Sequence, residues 1–195
     1  MSNIKYTIEF YSQWHCGSGL SAGADVDALV VKDRNGMPYV PGKTVKGLVR
    51  EAVENLMQFT KADKSGLIKE AFGEEGGKEG GITGCAHFGN AELNKDEYTA
   101  IVEANASQFL YNKVTTTAIS DEGTAQNHSL RSIETVVPCT LHGEITGVPN
   151  ELADDIARSF GLIKRLGHKR TRGLGRCDIK EEIETNNHTE KGGQA

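Results

Sequence analysis

The order of hydrophobic patterns predicts an α+β domain with a βαββαβ core. Three observations carry that expectation: an alternating opening segment, two apolar stripes at helical spacing, and two late segments, 133–147 and 177–184, that return to strand character. In "NIKYTIEFYSQW", Ile4, Tyr6, Ile8 and Phe10 fall on one side, and Lys5, Thr7 and Glu9 on the other. That is the period of a half-buried strand. The small, Gly-rich segment 15–27 reads as a loop. "ALVVKDRNGMPYV" (28–40) reads as an apolar strand, a turn at Asn35-Gly36 and a short return strand.

Thr44 reads as an N-cap, because Val45, Leu48, Val49, Ala52, Val53, Leu56 and Met57 then keep helical spacing. A short helix is expected over 67–72, a second sheet strand within 81–93, another short helix over 94–107 and extended chain over 109–114. Residues 115–132 are polar and poor in large apolar side chains, the mark of a mobile or functional segment. After the strand at 133–147, Leu152, Ile156, Phe160 and Ile163 mark a second amphipathic helix. A basic loop, 167–176, leads into the last strand. The expected organisation is one domain over 1–182, with insertions at about 60–81 and 94–132 and a disordered tail over 183–195. Without its insertions the order is that of the ferredoxin-like (RRM-like) unit. This fold hosts many functions, and the basic-Gly-aromatic run of base-stacking RNA-recognition sheets does not occur here.

Composition narrows the function classes. The 195 residues are 37% hydrophobic and 25% charged, as in ordinary globular domains. No apolar run has the length of a membrane span and the first residues lack a signal-peptide core, so a cytoplasmic protein with no membrane partner is expected. Cys16, Cys85, Cys139 and Cys177 are scattered without a C-x-x-C pair, which reads as reduced thiols, with no metal site. The net charge of −5 hides a segregation. From Ile156 to Cys177 there is no acidic residue, while Arg158, Lys164, Arg165, Lys169, Arg170, Arg172 and Arg176 all lie inside. Screening over about 8–10 Å lets such a strip bind phosphate despite the acidic total.

"GMPYVPGKT" (36–44) invites comparison with a nucleotide-binding P-loop. The pattern requires glycine where Met37 stands, and Pro38 and Pro41 remove two amide donors. What survives is an anion site at a helix N-terminus.

Taken in order, "VDALVVKDRNGMPYVPGKTVKGLVREAVENL", "AFGEEGGKEGGITGCAHFGNAEL", "LRSIETVVPCTLHGEI" and "GHKRTRGLGRCDI" resemble the RAMP superfamily of CRISPR-associated proteins. The resemblance is greatest to the repeated backbone subunit of type III effector complexes. It departs from that pattern at Lys43-Thr44, where two small hydroxyl residues are usual, at Asn90, where Asp is common, and at Lys169 and Arg170, where glycines are common. The resemblance implies a guide-RNA-binding subunit that lines up with further copies of itself and with other effector subunits. It implies an endoribonuclease within the complex, cutting guide-paired target RNA by metal-dependent attack of the 2′-hydroxyl, with a divalent cation such as magnesium as cofactor.

Residue by residue, the resemblance places Asp27 at the slicing aspartate. Asp25 reads as structural and Asp33 as part of the Asn35-Gly36 turn. Guide-RNA phosphates are expected at Gly42, Lys43, Thr44, Lys46 and Arg50, and at His168, Lys169, Arg170, Arg172, Gly173 and Arg176. Segment 115–132 matches the family's thumb hairpin by position, with Arg131 at its base placed to touch the RNA backbone. Two alternatives remain. His15 is the type of residue used as general base by processing endoribonucleases of the superfamily, which are usually built from two such units. A non-catalytic RNA-coating subunit is the other.

Overall fold

The computed structural model describes residues 1–182 except 24, 75–80 and 127. The expected disordered tail and part of the loop after residue 73 lie outside the described residues. The main sheet holds β1 (Ser2–Phe10), β2 (His87–Phe88), β5 (Thr140–Val148) and β6 (Cys177–Glu181), in the order β2-β5-β1-β6. Every neighbouring pair is antiparallel. This is the strand order of the ferredoxin-like unit, as the sequence predicts.

Alternation along β1 is fully realised: Ile4, Tyr6, Ile8 and Phe10 are buried and Lys5 is exposed. Two helices cover that apolar face. The first, α1 (Gly42–Thr60), buries Val45, Val49, Ala52, Val53 and Met57. A second helix, α4 (Asn150–Ser159), buries Leu152 and Ile156 and runs into a short 3-10 turn whose Phe160 ring lies 5.5 Å from that of Tyr6. Each such aliphatic side chain contributes about 1.5–3 kcal/mol by leaving water. Against α1 and α4 packs α2 (Ser65–Phe72), and α3 (Lys95–Glu103) begins at Asn94, whose side chain accepts from the Glu97 amide.

Strands β3 (Tyr111–Thr116) and β4 (Arg131–Val136) form a separate hairpin. Trp14 fastens it to the main sheet: it exchanges backbone hydrogen bonds with Val136 and stacks on Phe10 with ring centres 4.6 Å apart.

Several expectations need correction. The strand expected over 133–147 is two strands in different sheets, divided at Val137–Cys139, where Pro138 has no amide to donate. The strand expected within 81–93 pairs at His87–Phe88, breaks at Asn90 and resumes at Glu92, which exchanges hydrogen bonds with His142. A 3-10 turn, Ser107–Leu110, opens the segment expected to be extended from 109. The 28–40 hairpin is reduced to isolated bridges around a turn that Asp33 organises by accepting from the Asn35 and Met37 amides. Burial alone would raise the Asp33 carboxyl, but hydrogen bonds from Tyr98, Met37 and Asn35 and the nearby Arg34 leave it below the usual carboxylate value.

Thr44 does not cap α1. The helix starts at Gly42 with Pro41 as the flanking residue and no side-chain cap from it. The Gly42 amide donates instead to Asn90 Oδ1 at 3.0 Å, so the break in the edge strand supplies the cap. Gly42 is also required sterically, since a Cβ there would stand 2.0 Å from the Phe88 carbonyl oxygen. Asn90→Ala is expected to lower stability by about 1 kcal/mol, while Asn90→Asp, which keeps the acceptor, holds the wild-type value. Urea denaturation of both variants checks this.

Candidate nucleic-acid interface

A cleft of about 820 Å³ opens between the N-terminal end of α1, the loop 15–29 and the late basic loop. Its position follows from chain geometry. On α1, Lys43, Gly47 and Glu51 recur every fourth residue, and all three line the cleft. Asp27, His15, His168 and Arg170 line it too.

Asp27 is exposed, and one carboxylate oxygen is fixed: Oδ2 accepts from the Ser132 amide at 2.6 Å, while the Asp27 amide donates to the Ser132 carbonyl at 2.8 Å. The chain beyond Asp27 then runs beside β4, Ala28 pairing in parallel with Ile133. The other oxygen, Oδ1, has no partner among the described residues. Asp25 is held by Lys113 of β3 at 2.6 Å, which fits its structural reading.

His15 is buried, with Nδ1 2.6 Å from the Glu134 carbonyl oxygen. A carbonyl only accepts, so Nδ1 carries the proton and Nε2 of the neutral ring is left as acceptor. The His168 ring lies 5.7 Å away. Burial, then His15 and Lys169, hold the His168 pKa below the ordinary histidine value. Glu134 organises this wall: its carboxylate accepts from the Val30 amide at 3.0 Å and pairs with Lys32 at 2.7 Å.

Glycines of the late loop serve internal packing. A Cβ on Gly167 would meet the His15 carbonyl oxygen at 2.4 Å, and one on Gly175 the Leu166 carbonyl oxygen at 1.8 Å. Lys169 adopts φ 54°, a left-handed conformation that glycine takes without strain. Its ammonium donates to Thr116 Oγ1 at 3.3 Å, and Thr116 pairs across the hairpin with Arg131. The basic loop therefore touches the loop end of the β3–β4 hairpin one residue from the Ser132 amide that anchors Asp27.

The residues expected to bind phosphate thus divide. Lys43, Thr44, His168 and Arg170 line the cleft with Asp27. Lys169 and Arg131 stand together at the loop end of the hairpin, and exposed Arg172 and Gly173 close the basic loop's 3-10 turn. Gly42 is buried under the edge strand with its amide taken by Asn90, so its role is structural. Lys46 and Arg50 lie on another face of α1. There the Arg50 guanidinium is used internally, by Glu54 at 2.9 Å and the Gly73 carbonyl at 3.2 Å. Arg176 belongs to a separate groove with Tyr11.

Sequence reasoning missed Glu51, the second carboxylate in the cleft, although its four-residue spacing from Gly47 was readable. The anchoring of Asp27 by Ser132 had no local signal. Among the described residues no three His, Cys, Asp or Glu side chains converge as a metal cage. A divalent cation fits here only in the manner of magnesium, held by one or two carboxylates with substrate phosphate and water. Burial pushes the Cys16 thiol up to about 12 and the Cys177 thiol up to about 11, and all four cysteines are free.

A search of curated protein sequences returned no match. Among solved structures, a chain of the type III-B Cmr-beta complex bound to cognate target RNA is similar over 93% of this chain and 97% of its own, with a TM-score of 0.67 and 12% identity. A chain of the apo Cmr-beta complex gives 93% and 98%, 0.68 and 13%. No helix among the described residues is long and apolar enough to cross a membrane. The RAMP superfamily profile matches residues 7–178. With the βαββαβ core and an Arg- and Gly-bearing loop at the mouth of its cleft, the chain belongs to the RAMP superfamily.

Proposed function

We propose that this chain is a backbone subunit of a type III CRISPR effector, binding guide RNA and cutting the paired target RNA beside Asp27. The carrying observation is the placement of Asp27: one oxygen is pinned to the loop end of the β3–β4 hairpin, and the residue lines a cleft with Lys43, His168 and Arg170. The likeness to a chain of a Cmr-beta complex bound to cognate target RNA supports the reading.

The chemistry is attack of a ribose 2′-oxygen on the adjacent phosphorus. A new O–P bond forms, the 5′-oxygen of the next nucleotide leaves and takes a proton from water, and the products carry a 2′,3′-cyclic phosphate and a 5′-hydroxyl. Asp27 Oδ1 is available to accept the 2′-hydroxyl proton. Lys43 and Arg170 offset charge on the phosphate, and the hairpin, in the role of a thumb, splays the strand so that the 2′-oxygen lines up with it. A divalent cation bound through Asp27 and substrate phosphate would add Lewis-acid polarisation.

One observation favours a second reading, precursor-RNA processing: His15 presents Nε2 as an acceptor in the same cleft. Purification from its native cells tests the assignment. The expected result is one RNA of uniform length together with other effector subunits. Protein that carries no RNA, or heterogeneous cellular RNA without partner subunits, overturns it.

A further inference from the structure

Beyond the cleft lies a groove of about 390 Å³ lined by Tyr11, Lys164, Arg165, Arg176, Cys177 and Asp178. A smaller hollow of about 120 Å³ joins the two. It shares Glu51 and Arg170 with the cleft, and Lys164 and Arg165 with the groove. The three depressions therefore share walls and lie side by side.

Charge in the groove is unbalanced. Arg165 and Arg176 stand directly opposite each other in an antiparallel bridge, fixed by the flanking Leu166–Gly175 and Cys177–Lys164 backbone hydrogen bonds. Opposed residues of an antiparallel pair project to the same face, and like charges there destabilise each other. The groove's one carboxylate, Asp178, is already engaged by Lys164 at 2.8 Å and Lys180 at 3.7 Å. Glu9, close by, accepts from the Tyr11 hydroxyl at 2.9 Å and faces Lys180 at 3.8 Å. The Arg165 guanidinium donates to the Arg170 carbonyl, and Arg176 lies 6.0 Å over the Tyr11 ring, which is 49% exposed.

Two opposed guanidinium groups without a carboxylate partner among the described residues are relieved by an anion, and their planar donors match phosphate oxygens. A half-exposed aromatic ring beside them adds a stacking surface of the kind that single-stranded nucleic acid uses. We propose that this groove is a second phosphodiester subsite, which receives the RNA strand where it leaves the cleft. Arg165 and Arg176 take its phosphates and Tyr11 takes a base. The inference rests on the reading that the cleft binds RNA.

The test compares the purified wild-type chain with Arg165→Gln/Arg176→Gln, using a fluorescent oligoribonucleotide of about 30 nucleotides and one of about 6, each titrated across salt concentrations. Loss of two phosphate contacts should make the slope of log affinity against log salt shallower by about 1.4 for the long RNA and leave the short one unchanged. Tyr11→Ala should weaken the long RNA about tenfold or more without altering the slope. Arg165→Lys/Arg176→Lys, which keeps the charge, should restore the wild-type slope. Equal slopes in wild type and Gln variant, or equal losses for both RNAs, overturn the subsite while leaving RNA binding by the cleft intact. A wild-type chain that binds neither RNA removes the functional reading itself. Competition by polyglutamate as strong as that by RNA overturns the subsite in favour of an acidic peptide.

Discussion

Asp27→Asn is expected to slow target-RNA cleavage in the assembled complex by about 10²–10⁴-fold, the range for losing a positioned general base. Asparagine is nearly isosteric with aspartate and its amide oxygen can still accept from the Ser132 amide. The loop end of the hairpin, which Asp27 holds at 2.6 Å, should therefore stay in place. What disappears is the negative charge and the basic oxygen facing the cleft. Guide-RNA binding and incorporation into the complex should match wild type, because neither depends on that oxygen. Single-turnover cleavage of a guide-matched target measures the rate, and gel filtration with RNA quantitation measures assembly. Wild-type cleavage by Asp27→Asn removes the catalytic assignment. His15→Gln discriminates the second reading: if it stops precursor processing by the isolated chain while Asp27→Asn does not, the processing function holds. Burial of His15 against Glu134 makes a stability measurement on that variant a necessary companion.

The core was legible because its signals are local. β1 has one face in the core and one partly exposed, so its period of two is written directly in Ile4, Tyr6, Ile8 and Phe10. The buried stripe of α1 recurs at three and four residues for the same reason. What sequence could not supply were partners fixed by topology. Nothing around Gly42 indicates that its cap lies 48 residues away at Asn90. Nor does the composition around Asp27 point to the Ser132 amide 105 residues on. Local capping preference favoured Thr44, but close approach of α1 to the Phe88 carbonyl demanded glycine at its first position and placed the start there. The scatter of basic residues on α1 is a different case. Lys43 and Lys46 are three residues apart, yet Lys43 lines the cleft and Lys46 does not. Arg50 is held by Glu54 at the next turn, an i,i+4 pairing that was visible in the sequence.

Replacing Lys169, Arg170 and Arg172 with alanine is expected to weaken RNA binding by about 10²-fold at moderate salt and to make the salt slope shallower by about 2, as for three lost phosphate contacts. The three residues do not act alike. Arg170 lines the cleft, Lys169 is tied to Thr116 at the loop end of the hairpin, and Arg172 is exposed on the basic loop. If binding is electrostatic, each single variant should remove about 0.7 from the slope whatever the RNA sequence. A purely structural loop would respond differently: affinity would fall with the melting temperature and the slope would stay fixed. Lys169→Gly separates the two. The φ of 54° at Lys169 costs a side-chain-bearing residue and costs glycine little, so relief of that strain opposes glycine's greater chain entropy. A melting temperature at or above wild type together with a weaker, less salt-sensitive complex identifies the ammonium as a phosphate ligand. Wild-type affinity and slope in Lys169→Gly would instead confine its role to the contact with Thr116 and leave Arg170 and Arg172 as the loop's charge on RNA.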